Sequence, residues 1–158
     1  MISLIACVGK NREIGRQGDL CWRFKEDLRF FRDKTIGHKV VMGYNTYKSL
    51  GFKALPNREN YVLSRESLPN PDVITILPNE EAMLVSEMEN SLEEWFVIGG
   101  GKVYRQFISI ADRLYLTEVD STCEEADTFF PEFDKKEFEA EELGRFEQGK
   151  FMLYEREI

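Results

Sequence analysis

Residues 2–8, ISLIACV, are apolar almost throughout, the pattern of a strand buried on both faces. A loop carrying Gly9, Gly15 and Gly18 follows. From 24 to 35 the spacing becomes helical. Wound at about 100° per residue, Phe24, Leu28 and Phe31 share a face, with Phe30 at its edge. Lys25, Glu26, Arg29, Arg32 and Asp33 take the other side. Asp27 falls inside the apolar arc. A carboxylate there loses solvation and needs a partner. Read from the residues alone, Asp27 is either ion-paired with Arg23 four positions back or part of a site.

The remaining pattern alternates strands with helices. HKVVMG is a short strand ending in glycine, and YNTYKSL a short helix. NYVLS is a third strand, and DVITIL a fourth after the proline-containing break at 69–71. Residues 79–92 place Ala82, Leu84, Val85, Met88 and Leu92 at helical spacing. WFVI is a fifth strand, running into three glycines and a helix with Val103, Phe107 and Ile110. RLYLTEV is a sixth strand. After an acidic loop, EFEAEEL and KFMLYERE form a strand pair joined through 144–149. Strand–helix alternation requires crossover connections and hence parallel strands. The expectation is one α/β domain over 1–158. Its central, mainly parallel β-sheet carries a C-terminal antiparallel hairpin strand and is flanked by about four helices.

Open parallel sheets bind ligands beyond the carboxyl ends of their strands. Two junctions there have suitable chemistry. In VVMGYNTYKSL, Gly43 lets a ligand approach the backbone, and Thr46 puts a hydroxyl near free helix N–H groups. In WFVIGGGKVY, Gly99, Gly100 and Gly101 forfeit side-chain burial and cost backbone entropy. A phosphate seated against the backbone at the next helix explains them; a plain tight turn is the alternative. Neither junction is a GxGxxG fingerprint or a GxxxxGK[ST] loop.

Composition narrows the classes. The net charge of −8 argues against nucleic acid. It divides into +6 over residues 1–60 and −14 over 61–158. Such a split describes either a solvated acidic half or a cationic half that receives an anionic small ligand. Three cysteines without a CxxC pair, and a single histidine, His38, support neither a disulfide framework nor a metal site. The N-terminus lacks a basic leader, and no apolar run is long enough to span a membrane. A cytoplasmic protein is expected.

In order and spacing, several of these stretches resemble the dihydrofolate reductase family, in its short bacterial form, over essentially the whole length. They are MISLIA, Ile14–Gly15, Trp22 with Asp27–Leu28 and Phe31, VVMG with Thr46, VIGGGKVY, LYLTEVD and the acidic loop with DTFFP. The resemblance implies NADPH-dependent reduction of dihydrofolate to tetrahydrofolate, in support of one-carbon metabolism and thymidylate synthesis. It also implies antifolate inhibitors as further ligands, and a monomer. Asp27 matches the acid that hydrogen-bonds the pteridine and assists N5 protonation before hydride reaches C6. Trp22, Tyr104 and Thr117 complete its catalytic group. Ile5, Ala6, Leu28, Phe31, Leu50 and Ile98 match the pocket around the pteridine and aminobenzoyl groups. Arg58 matches the residue that grips the glutamate α-carboxylate, a task suited to a guanidinium fork. The cofactor side implied is Ala6, Ile14, Gly15, Gly43, Tyr44, Asn45, Thr46, Ser64, Arg65, Gly99, Gly100, Gly101, Lys102, Val103 and Tyr104. No metal is implied.

Two positions depart from the family pattern. Cys21 stands where proline usually precedes the loop tryptophan, which leaves that lid less constrained. Tyr44 stands where a basic residue usually helps hold the NADPH 2′-phosphate; Ser64 and Arg65, with Lys102, are the replacement. Two other readings remain: a reductase of the same fold acting on a pyrimidine, and a non-catalytic binding module. The first has no need for Trp22, Asp27 and Phe31 together. The second would be expected to lose Asp27 or the glycine turn first.

Overall fold

The apolar run at the N-terminus becomes β1 (Ile2–Val8), buried along nearly its whole length as its pattern requires. A computed structural model describes residues 1–158. After β1 come β2 (Glu13–Arg16), β3 (Asp19–Leu20), α1 (Lys25–Thr35), β4 (Lys39–Gly43) and α2 (Tyr44–Ser49). The middle of the chain supplies β5 (Glu59–Leu63), β6 (Val73–Ile76), α3 (Glu81–Asn90), β7 (Trp95–Val97) and α4 (Gly101–Phe107). Last come β8 (Arg113–Val119), β9 (Thr128–Phe129), β10 (Phe138–Phe146) and β11 (Gly149–Arg156).

Eight strands form one sheet in the order β10-β11-β8-β1-β7-β4-β5-β6. The six from β8 to β6 are parallel, and β11 runs antiparallel between β8 and β10. Because side chains alternate along each strand, the sheet has two apolar faces. Ile5, Val40, Met42, Phe96 and Tyr115 face α1 and α2, meeting Phe30, Phe31, Tyr47 and Leu50. Leu4, Val41, Trp95, Val97 and Leu114 face α3 and α4, meeting Leu84, Met88, Val103 and Phe107.

Helix α1 has Glu26 and Asp27 in its first turn and Arg32 and Lys34 in its last, matching the helix dipole at both ends. Past its end, Gly37 adopts φ +80°, which stops the helix. Phe30 seats it: the ring stacks on Phe151 at 4.4 Å between centroids and lies 6.5 Å from Tyr115. Phe151 stacks on Phe146 at 5.0 Å, and Phe146 meets Phe24 edge-on at 5.6 Å. Phe24 is therefore the N-cap, its ring on the hairpin, and the helix begins one residue later than the apolar spacing suggests.

Three further expectations are corrected. The segment 79–92 divides into a 3-10 turn at Pro78–Glu80 and α3, because proline at the first position favours a fresh start. The C-terminal strands do not turn through Gly144. Strand β10 continues past a register shift between Glu142 and Gly144 to Phe146, and the turn is Glu147–Gln148. Finally, a second sheet of order β3-β2-β9 was not anticipated. It pairs Gly15 with both Leu20 and Thr128, docking the loop after β1 against the acidic loop after β8.

Candidate active site

Strands β1 and β8 pair with Cys7 opposite Thr117, so both side chains fall on the face that α1 covers. Asp27, in the first turn of α1, reaches down to them. The Thr117 hydroxyl donates to Asp27 Oδ1 at 2.5 Å, and the Cys7 thiol faces the same carboxylate. Burial pushes the Asp27 carboxyl above its ordinary value; the two donors hold the rise back without cancelling it. The Cys7 thiol is itself driven strongly upward, by burial and by the facing carboxylate. Arg23 is not the partner: it pairs with Asp19 at 2.5 Å.

Apolar side chains surround this carboxylate's face. Ile5 is buried, while Phe31, Leu50 and Ile98 are half-buried against the same cluster. Leu28, one residue beyond Asp27, is 47% exposed. At the other end of α1, Arg58 Nη1 donates to Thr35 Oγ1 at 2.9 Å and its Nε to the Pro56 carbonyl at 2.8 Å. Burial and the neighbouring Arg32 charge lower its pKa. Asp27 and Arg58 are thus held at opposite ends of one helix. The eight helical steps from Asp27 to Thr35 span about 12 Å at the α-helical rise.

The two glycine junctions are one structure. Strands β4 and β7 are neighbours, and the Gly43 N–H donates to the Gly99 carbonyl at 2.9 Å. Gly99 has φ +122° and is joined to Gly100 by a cis peptide bond. A Cβ on Gly43 would lie 2.9 Å from Val103 Cγ2, and one on Gly101 2.7 Å from Thr128 Cγ2, so both glycines are sterically required. Thr46 Oγ1 lies against Gly99 and Gly100. Buried Tyr104 donates to the Ile5 carbonyl at 2.6 Å, anchoring α4 to β1. Ala6 packs on the α4 side, opposite Ile5.

Pairing of Gly43 with Leu63 brings Tyr44 and Ser64 to adjacent strand ends. Tyr44, Asn45, Arg65 and Lys102 are exposed there. The Ser64 hydroxyl donates to the Glu66 carbonyl at 2.7 Å. Ile14 is buried and Gly15 lies in β2, within the second sheet. Half-buried Trp22 closes on Gly9, where a Cβ would run into the Trp22 ring. Most positions expected from the sequence fall on the α1 face of the sheet or at the ends of β4, β5 and β7; Ala6 and Tyr104 lie on the α4 side of β1, and Ile14, Gly15 and Trp22 lie at or beside the second sheet.

Glu13 was missed. It is 2% exposed, yet charged. Its Oε1 accepts from Asn11 N at 2.7 Å and its Oε2 from Cys123 N at 2.6 Å. Burial alone would raise its pKa, but backbone N–H donation from Cys123, Glu13 itself and Asn11 outweighs it, and the net shift is downward. Nothing in its spacing marks it. Cys7 was missed as well, although a signal was there: it stands two residues after Ile5 on one strand, hence on the same face.

A family model described as dihydrofolate reductase matches residues 1–156. A dihydrofolate reductase of Bacillus subtilis is 36% identical over 166 aligned residues, spanning 99% of this chain and 95% of that one. Another from Haemophilus influenzae is 37% identical over 139 residues, covering 88% and 84% of the two chains. The solved dihydrofolate reductase of Enterococcus faecalis, complexed with NADP(H) and RAB-propyl, superposes with a TM-score of 0.83. It is 29% identical and covers 99% of this chain and 96% of that one.

Proposed function

The chain belongs to the dihydrofolate reductase family and is an NADPH-dependent oxidoreductase acting on dihydrofolate; we propose that Asp27 is the group that orients the pteridine and assists protonation of N5. The observation carrying this reading is the buried Asp27 carboxylate, whose only side-chain donors are a threonine and a thiol. With no cation beside it, a bidentate match to an amide edge and an amino group offsets its desolvation. Its raised pKa keeps a proton within reach nearer neutrality.

Substrate length fits α1. A pteridine at Asp27 and an α-carboxylate at Arg58 sit at the two ends of the helix, with Phe31, Leu50 and Leu28 along the aminobenzoyl path. Arg58 also borders an open charged depression of about 690 Å³ shared with His38, Lys39 and Glu93.

The glycine turns fit the cofactor: without Cβ atoms at Gly43 and Gly101 the turn packs closely on Val103 and Thr128, and the backbone N–H groups that open α4 would receive the diphosphate. Arg65, Ser64 and Lys102 would hold the 2′-phosphate, with Tyr44 beside them. When bound, NADPH supplies the hydride that C6 receives. Tyr104, tied to Ile5, fixes the distance between the α4 turn and β1. Trp22, Ile14 and Gly15 belong to the lid that excludes water. N5 protonation makes C6 electrophilic, so Asp27 acts ahead of the hydride.

The test is loss of NADPH absorbance with purified protein and dihydrofolate, with NADH in parallel. NADPH-selective turnover that collapses in Asp27→Asn is the expected result. No turnover by folded protein overturns the reading.

A further inference from the structure

Two of the three cysteines meet where the lid docks. Cys21 ends the β2–β3 hairpin, and its backbone N–H donates to the Ile14 carbonyl at 3.1 Å. Cys123 lies in the acidic loop after β8, and its N–H donates to Glu13 Oε2 at 2.6 Å. Consecutive residues of β2 therefore hold both cysteines. The Cys21 thiol neighbours that of Cys123, and both residues are half-buried. The same two segments are joined further along, where Asp127 N donates to the Gly15 carbonyl at 3.0 Å and Gln17 N to Asp127 Oδ2 at 2.8 Å.

We propose that Cys21 and Cys123 form a reversible disulfide, made by hydroperoxides and undone by dithiols, that clamps the lid hairpin to the acidic loop and slows turnover. A disulfide needs the two Cα atoms within about 7 Å, a separation open to loops held by neighbouring residues of one strand. Burial and its donation to Cys123 push the Cys21 thiol up to about 12, so Cys123 is the attacking sulfur. Its thiolate attacks the peroxide, the O–O bond breaks, and water or an alcohol leaves with Cys123 as sulfenic acid. Cys21 then attacks the Cys123 sulfur. The S–S bond forms, the S–O bond breaks, and the hydroxyl departs as water with the Cys21 proton. Two electrons pass from the thiols to the peroxide. A dithiol reverses this by exchange. Cys7 does not compete, since it faces Asp27 across the sheet face and is held protonated.

The kinetic consequence rests on the reductase reading, in which the lid opens to exchange product and cofactor. The disulfide itself does not depend on that reading. The experiment treats reduced full-length protein with one equivalent of hydrogen peroxide. It then counts free thiols, maps peptides and measures turnover before and after dithiothreitol. Thiols should fall from three to one, with the peptides containing Cys21 and Cys123 linked and two hydrogens lost in mass. Turnover should fall about tenfold, as expected when lid opening limits it, and return with dithiothreitol. Cys123→Ser should keep the reduced protein's activity and lose the response; Cys21→Ser should trap the sulfenic acid on Cys123. Proteolysis of the 16–23 segment should slow on oxidation, a readout independent of catalysis. A link involving Cys7, over-oxidation of Cys123 without linkage, or linked protein with unchanged turnover and proteolysis overturns the proposal. If reduced protein fails to oxidise NADPH, the reductase reading falls, while thiol mapping and proteolysis still decide the disulfide.

Discussion

Thr117 Oγ1 donates to Asp27 Oδ1 at 2.5 Å, joining β8 to the first turn of α1 across 90 residues. The bond orients the carboxylate and leaves Oδ2, and the second lone pair of Oδ1, free of Thr117. It does not restore what burial removes, because the net pKa shift of Asp27 is upward. The site therefore holds its acid at a cost in stability.

Asp27→Asn should separate that cost from function. A raised carboxyl binds its proton more tightly folded than unfolded. Stability thus falls as pH rises from the ordinary carboxylate range through the raised value. Asparagine never ionises. The variant should melt a few degrees above the parent at pH 7, the gain vanishing at acidic pH where both side chains are neutral. Activity at pH 7 should drop by about 10²-fold or more, recovering partly at low pH as solvent protonates substrate. Calorimetry and a pH–rate profile check both halves; equal activity at pH 7 removes Asp27 from the mechanism.

Arg65→Ala should weaken NADPH roughly tenfold while leaving NADH nearly unchanged, the scale of one charged hydrogen-bonded contact. Titration of each cofactor decides it. Equal losses for the two would show that Arg65 reads something other than the 2′-phosphate.

Arg58→Ala should raise the dissociation constant for dihydrofolate by roughly tenfold or more, with little effect on a pterin that lacks the glutamate. The fold should survive, since the Arg58 side chain bonds only to the Thr35 hydroxyl and the Pro56 carbonyl. Parallel loss for both ligands would rule out the carboxylate assignment.

Glu13→Gln replaces one acceptor oxygen with a donor facing a backbone N–H. Stability should fall by about 1–3 kcal/mol, seen as a lower urea midpoint at pH 7. A depressed carboxyl contributes stability above its unfolded pKa and loses it as pH falls through the folded value. Parent and variant should therefore converge in acid. A constant gap from pH 7 to the acid limit would show that the charge is not what matters.

How much was legible depended on range. Asp27 stood out because helical spacing set it among Phe24, Leu28 and Phe31, and the sheet class followed from strand–helix alternation. Each glycine turn was visible alone, but the Gly43–Gly99 bond needs β4 beside β7, and sequence order does not reveal that. The second sheet left no pattern. Its strands are two to four residues long, too short for alternation to register. Glu13 was hidden for a related reason: its partners are backbone N–H groups, and any residue offers those. The Cys21–Cys123 contact joins segments whose docking depends on that unforeseen sheet.

The ring stack beneath α1 also sets an order of events during synthesis. Helix α1 emerges from the ribosome early, but Phe151, the ring on which Phe30 lies flat, belongs to β11. Chains emerge N-terminal end first. An incomplete polypeptide that already contains Asp27, Thr117 and both glycine turns still lacks the surface that seats the helix. Premature termination between β8 and β11 would thus leave Asp27, Thr117 and both glycine turns in the chain without the ring on which Phe30 lies.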